Sequence, residues 1–349
     1  MTELARLIRS RIAEDGPISV AEYMSLCLSH PEHGYYTTRD PFGRGGDFVT
    51  APEISQMFGE MVGVWLATVW VGAGRPNPVR LVELGPGRGT MMADALRAAR
   101  GAGLADAADL WLVETSPVLR AAQEERLPDA SWAARLAEVP EGPMLLVANE
   151  FFDALPVRQF LASPQGWRER LVGLADGALA FGLSAPLPGP APAEGWAEVS
   201  PLAEAVLGEI AQRLLSRGGA ALVIDYGYGA ADRPPGPTLQ AVCDHAKADP
   251  LSAPGKADLT WLPDFARLAA AARPARAHLT TQGGFLATMG IGTRAAQLAA
   301  QRPERADRLA DALERLTSPD AMGQRFKALA LLPPGAPPPP GFGPFEELR

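Results

Sequence analysis

The sequence predicts an α/β fold on a parallel, doubly wound sheet. Three observations carry that expectation. Short apolar runs alternate with segments of helical period, the first of those runs feeds a glycine-rich turn, and acidic or amide residues recur where the runs end. In chain order, Val79, Leu81, Val82 and Leu84 form a buried strand ending near Glu83. Gly85, Gly87 and Gly89 follow, and Thr90 can cap a helix carrying Met91, Met92, Ala95, Leu96 and Ala99 on one face. "DLWLVE" (109–114) is a second strand, with Ser116-Pro117 opening a second crossover helix. "MLLVANEFFDALP" (144–156) holds a third buried strand, after which an alternating, turn-rich stretch over 156–198 reads as an antiparallel insertion. A helix over 201–217, a strand in "AALVIDYGY" (220–228), helices over 259–272 and 286–316, and a last strand in "FKALALL" complete the pattern. Glu83, Glu114, Asn149, Glu150 and Asp225 all fall at strand carboxyl ends, where sheets of this class bind ligands.

Upstream of this core, residues 1–78 read as a helical segment with a glycine-rich loop. Leu4, Leu7, Ile8 and Ile12 make one amphipathic helix, and Ser19 with Glu22 forms a capping box for a second that reaches Cys27. Thr50 and Glu53 form another box ahead of a strongly periodic helix from Ile54 to Val69. Between them lies "PEHGYYTTRDPFGRGGDFVTAPE", long and rich in glycine and aromatics, and loops of that length inside a domain are usually functional. The expected division is therefore 1–78 and 79–349, the latter carrying the insertion.

Bulk properties exclude several classes. The 349 residues suit one large domain with an insertion or two modest ones. Net charge is −8 and no Lys/Arg cluster could track a phosphate backbone, which disfavours nucleic acid as partner. Two cysteines, Cys27 and Cys243, cannot build a disulfide framework and fit a reducing compartment. Four scattered histidines give no metal-ligand spacing, so no metal is expected. The acids Glu3, Glu14 and Asp15 make the first residues a poor signal or transit peptide, and no 18-residue apolar run occurs, so no membrane insertion and a cytoplasmic location are expected. The tail "PPGAPPPPGFGPF" reads as a stiff extended segment docked through Phe342 and Phe345.

The glycine turn narrows the ligand. A dinucleotide turn has a third small residue at position 90, but Thr90 stands there and the third glycine comes one residue early. No Gly-Lys-Ser/Thr follows, so the phosphate loop of nucleoside triphosphatases is absent. Glu83 would repel a pyrophosphate but suits a cationic amino-acid end, a combination that favours S-adenosylmethionine. Glu114 follows the second strand, where a carboxylate accepts the ribose hydroxyls of an adenosyl ligand; the plainer alternative is a helix-capping acid. In "ANEFFDALP", Asn149, Glu150 and Asp153 offer an amide and two carboxylates that could pin the N–H fork of a guanidinium beside a methyl donor. Phe151 and Phe152 supply either an aromatic wall for a cation or core.

Five blocks, "HGYYTTRDPFGRGGDFVTAPEISQMFGE", "VELGPGRGT", "LVETSP", "ANEFFDALPV" and "VIDYGY", occur in this order in the MidA-like family, which the chain resembles over nearly its whole length. The resemblance implies a class I S-adenosylmethionine-dependent methyltransferase fold. It also implies symmetric dimethylation of an arginine in a 49-kDa-type subunit of respiratory complex I, in support of assembly. It assigns the cofactor to Glu83, Gly85, Gly87, Gly89, Thr90, Glu114 and Asn149, and methyl transfer to Asn149, Glu150 and Asp153. Asp47, Glu53, Asp225 and Tyr226 become substrate or lid residues, the loop from Gly45 to Glu53 closing over the site. Family relatives work in the mitochondrial matrix; this Ala-, Gly-, Pro- and Arg-rich chain resembles a bacterial member. Two alternatives stay open: a methyltransferase on another protein or a small molecule, and a cofactor-bound assembly chaperone without turnover.

Overall fold

The computed structural model describes residues 2–38, 50–189, 194–243, 246–343 and 347–348. By internal contacts the chain forms two compact units that interleave in sequence. One comprises 1–48, 153–204 and 229–264, the other 49–152, 205–228 and 265–349. The division expected at 78/79 follows chain order, whereas residues 50–78 share a unit with the glycine turn.

The second unit is built on an eight-stranded sheet. Its strands are β1 (Val79–Leu84), β2 (Ala108–Val113), β3 (Ser131–Ala133), β4 (Met144–Asn149), β5 (Gly219–Tyr226), β6 (Arg276–Thr281), β7 (Phe326–Leu332) and β8 (Glu347–Leu348). Their spatial order is β3-β2-β1-β4-β5-β7-β6-β8. Strands β1 to β5 pair in parallel, and β7 runs antiparallel between β5 and β6. The order reverses between β1 and β4, which are direct neighbours with Glu83 opposite Val147 and Leu84 opposite Ala148. Such a switch point leaves a crevice beyond the strand ends, because the crossovers on either side leave in opposite directions.

Near-continuous apolar runs make β1, β4 and β5 central. Leu81, Leu145, Val147, Leu222 and Ile224 are all buried, as parallel strands covered on both faces require. Helix α1 (Gln56–Gly72) covers this sheet through Phe58, Trp65 and Leu66 and packs closely on α2 (Thr90–Ala99). The close approach depends on Gly63, where a Cβ would lie 2.2 Å from the Ala95 carbonyl oxygen. Buried Glu60 ties the same layer together. It accepts from Gln56 (2.9 Å), from Arg97 (3.1 Å), and at both oxygens from Arg294 (2.7 and 2.9 Å).

In the first unit, strands Arg158–Ser163, Gly166–Ala175, Ala178–Leu183 and Trp196–Val199 pair antiparallel, and Ile18–Ser19 adds to the 166–175 edge. A three-stranded sheet joins 240–243 to 246–248 and 258–260. Helices Glu3–Asp15 and Val20–Ser29 supply Leu4, Ile8, Ile12, Tyr23 and Met24 to this unit's core, with Val157, Val172, Leu259 and Trp261. The Ser19 hydroxyl accepts the Glu22 N–H, as the capping-box pattern predicts.

Other local expectations fail for identifiable reasons. The Thr50 hydroxyl makes no capping bond; the helix that follows it stops at Ile54, and Ser55 caps α1 by accepting from Met57. Position 89, not 90, is the N-cap of α2, with φ +75°. The helix expected over 259–272 is strand 258–260 followed by helix Phe265–Ala271, with Pro263 between. The long helix expected over 286–316 is three: α3 (Gln282–Met289), α4 (Ile291–Gln301) and α5 (Ala306–Thr317). Gly290 at φ +92° ends the first, and Pro303, which offers no N–H, follows the second. Phe342 of the tail docks as predicted, 9 % exposed and against Phe285; Phe345 lies outside the described residues.

Candidate functional site

The glycine turn sits at the switch point, and its residue types follow from its backbone. Gly85, Gly87 and Gly89 have φ of +60°, +54° and +75°, a region in which a Cβ is strained. Gly85 donates to the Val113 carbonyl (3.1 Å) and Gly89 to the Pro86 carbonyl (2.8 Å), so the turn closes on itself and on β2. A Cβ on Gly85 would lie 2.8 Å from the Phe151 ring, which meets Phe152 edge-on.

Glu83 is 2 % exposed, and its Oε2 has no hydrogen-bond partner among the described residues. Burial alone pushes its carboxyl well above the usual range. Glu114 lies just past β2. Its Oε1 accepts the N–H groups of Thr115 (2.8 Å) and Ser116 (2.7 Å), and its Oε2 accepts from Gln123 (3.3 Å). Burial raises the Glu114 carboxyl, against the pull of those three donors. Ser116 itself caps the following helix, Pro117–Arg126, by accepting from Leu119, so Glu114 is not needed as a cap.

Across the switch point, Asn149 closes β4 opposite Ile224. Its amide donates to Glu150 Oε1 (3.2 Å), while its buried Oδ1 has no partner among the described residues. Glu150 adopts φ +50°, uncommon for a residue with a side chain, and its Oε1 also accepts the Ala51 N–H (3.2 Å). The peptide after it is pinned by Asp225, fully buried, whose Oδ2 accepts the Phe152 N–H (2.9 Å). Tyr226 packs edge-on against Phe326.

Thr90 donates to Glu53 Oε1 (2.6 Å) and accepts from Arg126 (2.7 Å), fastening the Ala51–Ile54 helix to the start of α2. Thus Glu83, Gly85, Gly87, Gly89, Thr90, Glu114, Asn149, Glu150, Glu53, Asp225 and Tyr226 share one unit. Asp153 belongs to the other, where it is 4 % exposed and its carbonyl accepts the Trp261 N–H. Asp47 lies outside the described residues. Gln123, which the sequence reading missed, is fully buried and donates to the Gly87 carbonyl at 2.6 Å. The only signal for it is a glutamine four residues after Leu119, on the buried face of its helix.

These residues suit a ligand with a cationic amino-acid end and no phosphate. A buried carboxylate oxygen and a buried amide oxygen without partners flank a turn whose three glycines leave room for a close approach. Comparison with known proteins agrees. Residues 61–283 match the family described as "Putative S-adenosyl-L-methionine-dependent methyltransferase". The chain is 40 % identical to the mouse protein arginine methyltransferase NDUFAF7, mitochondrial, over 95 % of this chain and 85 % of that one. It is 38 % identical to the human protein of the same name over 95 % and 84 %. A structure from Burkholderia thailandensis bound to S-adenosyl-homocysteine superposes with a TM-score of 0.87 at 30 % identity, covering 99 % of this chain and 95 % of that one. The fold is that of class I methyltransferases, the cofactor is S-adenosylmethionine, and the chain belongs to the MidA-like family of S-adenosylmethionine-dependent methyltransferases.

Proposed function

We propose that this chain methylates an arginine of a protein substrate, the target being a 49-kDa-type subunit of respiratory complex I, symmetrically dimethylated in support of assembly. The observation that carries the reading is the pairing of the Glu83 and glycine-turn site with a preset carboxylate, Glu150, at the tip of the neighbouring strand. The similarity to proteins named arginine methyltransferases supports the acceptor type. In this reading the chain is a cytoplasmic bacterial protein, whereas the curated relatives are mitochondrial. Among the described residues no helix is long and apolar enough to cross a membrane.

When bound, the cofactor supplies a methyl group on a sulfonium sulfur. Glu83 would hold the ammonium end and Glu114 the ribose hydroxyls, and the turn would let the ligand approach the backbone. Glu150 would align a guanidinium N–H and take up the proton that the nitrogen loses as its lone pair forms the new N–C bond, while the methyl–sulfur bond breaks with its electron pair staying on sulfur to leave a neutral thioether. Its orientation is fixed in advance by the Asn149 amide and the Ala51 N–H, so little reorganisation accompanies the reaction. Asp153 is the second acceptor carboxylate of this reading.

The test is a methylation assay on the complex I subunit, with wild type, Glu150→Gln and Asp153→Asn compared. Each variant should keep S-adenosylhomocysteine affinity and lose about 10²–10³ in turnover. Full activity in both would remove these residues from the reaction. Unchanged arginine methylation of the host's complex on deleting the gene would remove the substrate.

A further inference from the structure

We propose that Gln123 is a positioning residue of the cofactor site, whose single amide fixes the middle of the glycine turn and the ribose-facing carboxylate of Glu114 relative to one another. The inference rests on the reading of Glu114 as the ribose partner.

The helix Pro117–Arg126 buries only Leu119 and Gln123. A glutamine on a buried face is costly unless its amide is satisfied, and here every contact has a defined partner. Nε2 donates to the Gly87 carbonyl at 2.6 Å and to Glu114 Oε2 at 3.3 Å. Oε1 accepts the Trp132 indole N–H at 2.9 Å. These three partners also fix which way the amide faces. Turning it over would set its oxygen against two oxygens and its N–H groups against an indole N–H.

Glutamate, lysine and methionine, all of similar reach, do not meet these demands. A carboxylate would oppose both the Gly87 carbonyl and Glu114. A lysine could not accept from Trp132, and a methionine of similar length would offer neither donor. Glu114 Oε1 is held by two backbone N–H groups, and the Gln123 amide is the one side-chain hold on Oε2 among the described residues. Removing it leaves the orientation of Oε2 set only indirectly, through the two bonds at Oε1. The Gly87 peptide, with the glycine at φ +54°, loses its anchor at the same time. Both groups must then be ordered by the ligand, which lowers affinity without removing any direct contact.

Calorimetry on the full chain tests this with S-adenosylhomocysteine and its 2′-deoxy analogue. Gln123→Met should weaken S-adenosylhomocysteine about ten-fold, the low end for a hydrogen bond to a charged group, because the bond lost lies within the protein and acts on the ligand indirectly. It should weaken the 2′-deoxy analogue clearly less, and its effect should shrink in a Glu114→Ala background, because part of it acts through that carboxylate. Trp132→Phe, which frees the Gln123 oxygen, should shift affinity the same way by a smaller factor, and serves if Gln123→Met does not fold. Wild-type binding by both variants would overturn the proposal, as would equal losses for both ligands that persist undiminished without Glu114. If Glu114→Ala itself binds as wild type does, the ribose reading has failed and takes this inference with it. If Glu114→Ala weakens binding while Gln123→Met does not, the inference alone has failed.

Discussion

Replacing Glu83 with glutamine should push stability and cofactor affinity in opposite directions. The substitution keeps the shape of a side chain that is 2 % exposed and removes its charge. In the cofactor-free protein, burial holds the carboxyl well above its ordinary value, so the folded chain binds the proton more tightly than the unfolded one. Wild-type stability therefore falls as pH rises from the unfolded carboxylate value, about 4.3, towards the raised folded value. Glutamine does not titrate, so the variant lacks this loss and should be the more stable of the two at about pH 8. At about pH 5 the gap should shrink, because the neutral acid and the amide both leave a buried polar atom without a partner, at about 1–3 kcal/mol each. Binding runs the other way. In the proposed reading the carboxylate faces the ammonium end of the cofactor, and a hydrogen bond between charged groups is worth about 1.5–3 kcal/mol, or roughly 10–150-fold in affinity. Denaturant unfolding across this pH range and calorimetry with S-adenosylhomocysteine measure the two effects. A variant that binds as tightly as wild type, or whose stability follows the same pH curve, would refute the reasoning.

Gly85→Ala should destabilise the fold by about 1–2 kcal/mol from its positive φ alone, and the new methyl group must also displace the Phe151 ring. Urea unfolding and S-adenosylhomocysteine binding read the two consequences, and wild-type values for both would mean the turn relaxes freely. Glu60→Gln should cost about 1–2 kcal/mol, since a buried carboxylate clasped by Arg294 and Arg97 loses its charge. Burial opposes ionisation of Glu60, but the arginines outweigh it and hold the acid below its usual range. The wild type should therefore keep this contribution at neutral pH and lose it as pH falls through the depressed value, narrowing the gap to the variant in acid.

The turn at 85–90 was legible because each glycine answers a backbone demand, and all three proved to have positive φ. Strands β1, β4 and β5 were legible because full burial leaves uninterrupted apolar runs. By contrast, β6 reads "RAHLTT", and the polar His278 at its centre is buried in the fold with no apolar pattern to announce it. Thr50 and Thr90 look like caps in the sequence because hydroxyls before a periodic stretch usually cap. The capping atoms belong instead to Ser55 and to the backbone at Gly89, and the Thr90 hydroxyl meets Glu53, thirty-seven residues earlier. Gln123 shows the same limit. Its role depends on a carbonyl and a carboxylate contributed by other strand ends, which no local spacing encodes.

The interleaving of the two units has a consequence for synthesis. The strand at Ile18–Ser19 pairs with Leu171 and Val172, and the three-stranded sheet of the same unit closes only at Thr260. A nascent chain therefore exposes its first two helices, with Leu4, Ile8, Tyr23 and Met24, long before their partners leave the ribosome. The glycine-turn unit waits longer still, because β7, which wedges between β5 and β6, is made near the end. The first unit has all its strands once Thr260 has emerged and the second only near the end of the chain, so folding of both is gated by pairings remote in sequence, which are slow to form and prone to aggregation meanwhile.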